Sequence, residues 1–183
     1  MKSKEEIRMA KKLLIVIDMQ NDFVHNTDVL GSEAAQAIIP NVKAKIDEYL
    51  NNGGQVIFTR DTHNPTYLKT QEGEMLPVPH CIHGTTGWCV IDELEHPECP
   101  HYDKHSFGYA YWDRHCTFED DYQSIELCGV CTDICVVSNA LILKALYPEI
   151  PMLVDAACCA GTSEVAHEAA LKTMTSCQIT VYN

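Results

Sequence analysis

The chain has 183 residues, with 13 basic against 26 acidic side chains and a formal charge of −13. That balance argues against nucleic acids and anionic membranes as partners, since both repel it. No apolar run reaches the length of a membrane span, and Met1-Lys2-Ser3-Lys4-Glu5-Glu6 leads into no signal-peptide core, which points to the cytoplasm; the length suits one α/β domain over residues 1–183.

Leu13-Leu14-Ile15-Val16-Ile17 is a continuous apolar run ended by Asp18, the pattern of a strand buried on both faces. Ala37, Ile38, Val42, Ile46 and Leu50 then recur at helical steps, with Pro40 near a first turn and Gly53-Gly54 as the stop. Gln55 to Arg60 reads as the second strand. Residues 61–100 carry five prolines and several glycines, and so long an irregular segment in a compact domain is usually functional. A short strand is expected near His101–Lys104.

Ser124-Ile125-Glu126-Leu127-Cys128 runs into Gly129-Val130-Cys131-Thr132-Asp133-Ile134-Cys135 and then a 3.6-period apolar stretch, which reads as strand, turn and a helix over about 133–147. Cys135 falls in the first helical turn, where unpaired N–H groups and the positive dipole end lower a thiol pKa and offer donors to an oxyanion. The alternative is a buried helix cysteine. A strand over Pro151–Val154 ends in Asp155-Ala156; Thr162 or Ser163 caps a helix carrying Val165, Ala169, Leu171 and Met174; Gln178–Tyr182 closes the chain as a strand. Strands alternating with helices imply a mainly parallel sheet covered on both faces.

In such sheets ligands bind beyond the carboxyl ends of the strands, where Asp18, Asp61, His63, Lys104, Cys135 and Asp155 are expected. Asp18 is a candidate base for the Cys135 thiol, or a cap of its own turn. Lys104 near the sulfur would stabilise both thiolate and carboxylate, although a lone lysine is ordinarily a surface charge. Asp61-x-His63, with Glu72, Glu74, His80 and His83 downstream, offers a mixed oxygen and imidazole set that suits Zn²⁺, Mn²⁺ or Fe²⁺ rather than Ca²⁺; scattered histidines in a polar loop are an equal reading. No Gly-x-Gly-x-x-Gly or P-loop supports a nucleotide cofactor. Of the ten cysteines, Cys128 and Cys131 form a C-x-x-C without a second one, which argues against a four-cysteine metal site; most are expected to be reduced, small hydrophobes.

Leu14 to Phe23, Thr59-Arg60-Asp61-Thr62-His63, Pro79-His80-Cys81-x-x-Gly84-Thr85-x-Gly87, Lys104-x-Ser106-Phe107, Gly129 to Val136 and Asp155-Ala156 together resemble the isochorismatase-like cysteine hydrolases, and within them the nicotinamidase branch. The likeness covers nearly the whole chain in the family's order. It implies a three-layer α/β/α fold with a six-stranded, mainly parallel sheet, and a triad of Asp18, Lys104 and Cys135 with Cys135 as nucleophile. It implies a cis peptide between Val130 and Cys131, with the N–H groups of Cys131 and Cys135 as an oxyanion hole. It also implies a divalent metal, zinc first with manganese and iron as alternatives, on Asp61, His63, His80 and Glu72, with Glu74 competing for the last place. Phe23 and Tyr111 match positions flanking a substrate ring; Phe23 could equally be core packing. A small-molecule amide is the implied partner, and relatives are commonly homo-oligomers.

The resemblance leaves rivals. Another amidohydrolase of the superfamily, acting on a ureido or carbamoyl amide, would use the same triad. Isochorismatase proper needs neither the cysteine nor a metal, so Cys135 with Asp61, His63 and His80 counts against it. A non-catalytic or redox protein would instead use Cys128 and Cys131.

Overall fold

A computed structural model describes residues 11–115 and 122–183. The N-terminal stretch 1–10, on which the expectation about targeting rested, lies outside them. Six strands, β1 (Lys11–Ile17), β2 (Gln55–Asp61), β3 (His101–Lys104), β4 (Tyr122–Val130), β5 (Met152–Ala160) and β6 (Thr180–Tyr182), form one sheet in the order β3-β2-β1-β4-β5-β6. All five pairings are parallel. Leu13 to Ile17 are wholly buried, and successive strand residues point to opposite faces, so both faces of β1 are covered. The architecture is the expected three-layer α/β/α.

The helices are α1 (Asn21–Val24), α2 (Glu33–Ala37), α3 (Ile39–Asn51), α4 (Gln71–Met75), α5 (Trp112–His115), α6 (Val137–Leu146) and α7 (Glu164–Ser176). Pro40 sits in the first turn of α3, where an N–H would have no helical partner. Val42 and Ile46 of α3, Ala140 and Leu143 of α6, and Leu171 and Met174 of α7 contribute to one core with the strands. Ser163, rather than Thr162, caps α7, its Oγ accepting from the Ala166 N–H at 3.2 Å. Among the described residues no helix is long and apolar enough to cross a membrane.

Two elements depart from the expectation. The helix over 133–147 is instead a single π-type turn, Thr132–Val136, followed by α6. Such turns inside helices are frequently found at functional sites. The second departure concerns β5, which does not stop at Asp155 but continues to Ala160. Its register against β4 shifts between Leu127 and Gly129, where extra β5 residues bulge out. Asp155 holds the bulge by accepting the Ala157 N–H at 3.0 Å, and pairs with Lys45 of α3 at 2.8 Å. Lys45 also meets Glu126 at 2.7 Å, and the Tyr49 and Tyr182 hydroxyls donate to the same carboxylate at 2.5 and 2.6 Å. Asp155 is therefore part of a buried ionic cluster beneath α3 and not of the carboxyl edge where it was expected.

From β1 the chain winds outward to β2 and β3, then returns to β4 and winds the other way. The crevice between the carboxyl ends of β1 and β4 is the topological switch point, the usual ligand position in such sheets. Gly129 is obligatory there: it adopts φ +113°, and a Cβ would lie 2.1 Å from the Ile17 carbonyl oxygen. The next peptide bond, Val130–Cys131, is cis, as the resemblance implied.

Candidate active site

Four strand ends deliver their side chains to this crevice. Asp18 follows β1 at φ +50° and is completely buried; its Oδ1 accepts from the Thr59 hydroxyl at 2.7 Å. Lys104, the last residue of β3, is also buried, and its Nζ lies 2.7 Å from Asp18 Oδ2, 3.1 Å from Asp61 Oδ1 and 3.4 Å from Cys135 Sγ. The contact to Asp18 is a fully buried ion pair. Cys135 stands in the π-type turn after β4. Sequence spacing alone could not join these three residues; the parallel order β3-β2-β1-β4 does.

The electrostatics follow from burial. Desolvation raises the Asp18 carboxyl above its ordinary range, with Lys104 opposing and Asp61 reinforcing. For Lys104, desolvation is outweighed by Asp18, Cys135 and Asp61, so it stays charged well beyond the usual range. Burial, reinforced by the Asp18 charge, pushes the Cys135 thiol well up, with Lys104 pulling the other way. The expectation of a lowered thiol pKa is thus reversed in the resting site: the sulfur carries its proton and faces a carboxylate able to take it. Replacing Lys104 with methionine strands two buried carboxylates, and we expect it to cost about 3–5 kcal/mol of folding stability, measured by urea unfolding. A change below about 1 kcal/mol would mean the lysine is not a buried ion-pair partner.

Asp61 ends β2 and faces two ways. Its Oδ1 meets Lys104, while its Oδ2 lies 2.9 Å from His63 Nε2 and 3.5 Å from His80 Nε2. Glu72 Oε1 is 3.6 and 3.7 Å from the same two nitrogens. One donor atom from each of Asp61, His63, Glu72 and His80 falls within 4.8 Å of all the others. Ligands about 2.1 Å from a tetrahedral ion lie roughly 3.4 Å apart, so the spacing and the two-nitrogen, two-oxygen donor set fit a zinc-sized ion. The Val78 carbonyl, 2.7 Å from His80 Nδ1, fixes that ring with Nε2 toward the cluster. The structure separates Glu72 from Glu74: Glu74 is exposed and outside the group. Lys104 and the two imidazoles overcome desolvation and hold Asp61 well below the carboxylate range.

Cys135, Asp61, Glu72 and His80 line a cavity of about 390 Å³ whose other walls include Phe23, Leu30, Ala35, Leu76, Phe107 and Ile134. Phe23 lines the cavity, its ring 5.4 Å from that of His80. Tyr111 does not; it is exposed, edge-on to Tyr109, with Arg114 over its ring. Asn139 explains this. Its Oδ1 accepts from the Tyr109 N–H at 2.9 Å and the Trp112 indole at 3.0 Å, and its Nδ2 donates to the Phe107 and Cys135 carbonyls at 3.2 and 2.8 Å. This anchoring fixes the backbone of the segment, in which Phe107, itself 47% exposed, borders the cavity and Tyr111 lies outside it. His83 is likewise elsewhere, its ring tilted against that of Trp88 at 4.7 Å.

Sequence reasoning missed Asn139, Gln20 and the contact of Thr59. Gln20, fully buried, brackets the Asp61 backbone: its Oε1 accepts the Asp61 N–H at 2.7 Å and its Nε2 donates to the Asp61 carbonyl at 2.9 Å. An asparagine four residues after Cys135 in an apolar helix was the available signal for Asn139. The nine cysteines of the described residues are all free, Cys128 and Cys131 among them, so no disulfide joins the C-x-x-C.

Fold and site together define a three-layer α/β enzyme with a cysteine, a lysine and an aspartate at the carboxyl edge of its sheet and a candidate metal group beside them. The chain belongs to the isochorismatase domain family, whose model matches residues 12–183. A Bacillus subtilis (strain 168) protein described as the uncharacterized isochorismatase family protein PncA is 32% identical over 150 residues, which cover 72% of this chain and 77% of that one. The crystal structure of nicotinamidase PncA from Bacillus subtilis superposes with a TM-score of 0.78 at 24% identity, covering 94% of this chain and 99% of that one. Pyrazinamidase of Pyrococcus horikoshii, solved in complex with zinc, has a TM-score of 0.78 at 23% identity with the same coverage.

Proposed function

We propose that this protein is a metal-dependent cysteine amidohydrolase, a nicotinamidase converting nicotinamide and water to nicotinate and ammonia, with the chain acting as a single hydrolase domain. The observation that carries the reading is Lys104 Nζ held between Asp18 and the Cys135 sulfur, with Cys135 lining a cavity that Asp61, Glu72 and His80 of the candidate metal group also line. The likeness to nicotinamidase and pyrazinamidase structures supports it.

In this mechanism Asp18 accepts the Cys135 proton as the sulfur attacks the carboxamide carbon. The raised carboxyl suits a base that must hold and then return a proton. Lys104 keeps the combined charge of sulfur and carboxylate balanced throughout. The carbonyl oxygen moves into the N–H groups of Cys131 and Cys135. As the C–N bond breaks, Asp18 returns the proton to the departing ammonia, leaving a thioester. Water, deprotonated by Asp18, then attacks the thioester and releases the acid, restoring the thiol. Asp61, His63, His80 and Glu72 would hold the divalent ion, which would supply Lewis-acid chemistry beside the substrate.

The cavity favours a neutral aromatic amide over the ureido and carbamoyl alternatives. No lysine or arginine lines it, while Asp61 and Glu72 do. A carboxylate-bearing substrate would meet no cationic side chain there and only the proposed ion, whose charge Asp61 and Glu72 already offset, so its burial is costly. Phe23 and Phe107 both line the cavity, which supports a reading in which they flank a ring. Ammonia release should therefore favour nicotinamide over N-carbamoylglycine by roughly 100-fold or more in kcat/KM. If zinc-loaded protein releases no ammonia from nicotinamide, the reading is wrong. Equal rates on both substrates would remove the aromatic specificity.

A further inference from the structure

The turn that carries Cys135 is gripped by Thr132, Asp133, His167 and Asn139, which do not line the cavity, and by Gly161 and Thr162, which stand at its edge. Thr132, wholly buried, follows Cys131 directly, and its Oγ1 lies 2.8 Å from Nδ1 of His167 on α7. The hydroxyl and the imidazole share one proton in that contact. Asp133, next in the chain, accepts from the Thr162 N–H at 2.8 Å and the Thr162 hydroxyl at 2.6 Å. The two segments are pressed together at Gly161, where a Cβ would lie 2.8 Å from both Asp133 Oδ1 and His167 Cβ. On the other side, Asn139 Nδ2 holds the Cys135 carbonyl.

We propose that His167, acting through Thr132, is a positioning residue for the Cys131–Cys135 turn. The inference rests on the reading of Cys135 as nucleophile and of the Cys131 and Cys135 N–H groups as the oxyanion site. Thr132 follows one of those donors in the chain, so a hydrogen bond that fixes its side chain restrains the backbone of the turn between the Cys131 and Cys135 N–H groups. An oxyanion hole acts through donors aimed before the reaction begins, and a displacement well below the length of a bond weakens it. Thr162 and Asp133 brace the same turn one residue later, but His167 is the only member of the grip on α7. Its position on a long helix, docked on α6 and next to β6, gives the turn a rigid reference.

The effect should appear in the chemical step and not in substrate affinity. His167→Leu removes the hydrogen-bonding atom and should lower kcat for nicotinamide by roughly 10- to 100-fold, with KM within about twofold and bound zinc unchanged. His167→Asn places an amide group near the position of Nδ1 and should recover kcat to within about threefold. Thr132→Val should reproduce the His167→Leu loss, and the double variant should be no slower than either single one, since both remove the same contact. Wild-type kcat in His167→Leu, failure of asparagine to rescue, or losses that multiply in the double variant would each overturn the proposal. So would a loss explained by a smaller folded fraction in circular dichroism. Cys135→Ala, assayed in parallel, separates the two levels: activity in that variant refutes the nucleophile reading, whereas an inactive Cys135→Ala beside a fully active His167→Leu refutes only the role of His167.

Discussion

Cys135→Ala is expected to abolish ammonia release from nicotinamide, by at least about four orders of magnitude. The reason is that no other group can replace the sulfur. Of the cysteines in the described residues, only Cys131 also lines the cavity, and it stands at the start of the turn without the contact to Lys104. The substitution removes one buried sulfur and leaves the Lys104 ion pairs with Asp18 and Asp61 in place, so the stability cost should stay near roughly 1–2 kcal/mol. The loss in rate then cannot be attributed to unfolding. Purified variant and wild type should be compared by a coupled ammonia assay and by thermal melting. A variant that melts normally and retains more than about 1% of kcat would remove Cys135 from the chemistry.

Loss of one imidazole from the Asp61, His63, Glu72 and His80 group should be nearly as severe. His80→Ala is expected to weaken zinc binding by at least about 100-fold, more than is typical for disturbing an outer partner of a metal ligand. Activity should fall with metal content and should not return when zinc is added at micromolar concentration. Glu72 is more exposed than the other three, so Glu72→Gln should be milder, on the order of tenfold in affinity. Glu74→Gln should leave binding unchanged. Zinc affinity is measured by competition with a chromogenic chelator, independently of turnover. Full activity in metal-stripped wild type, or wild-type affinity in His80→Ala, would show that the cluster is not a metal site.

The Glu72 and Glu74 pair also shows where sequence reading stops. Two residues apart on a helix differ by about 200° in direction, so only one can face the cluster. Which one does so depends on how α4, capped by Thr70, docks beside Tyr67 and the histidines. Nothing in the local pattern states that orientation. Tyr111 and Phe107 present the same problem: both rings are exposed, only Phe107 borders the cavity, and the Asn139 hydrogen bonds that anchor this segment come from a helix about thirty residues away. Asp155 looked like a strand end because an apolar run stopped there. The strand continues because its bulge is held by Asp155 itself and by Lys45 from α3.

What the sequence by itself determined was local or periodic. Five consecutive buried residues before Asp18, alternating strands and helices, and a glycine-led turn into a helix at Cys135 follow from backbone sterics and side-chain burial within short windows. Those features placed Asp18, Asp61, Lys104 and Cys135 at strand ends. Tertiary structure decided which strand ends are neighbours and which side chains meet across them. It also reversed one expectation drawn from the isolated turn: the helix start at Cys135 would lower a thiol pKa, but burial beside Asp18 raises it. Desolvation is a property of everything packed around a group, so no stretch of sequence around Cys135 could have shown it.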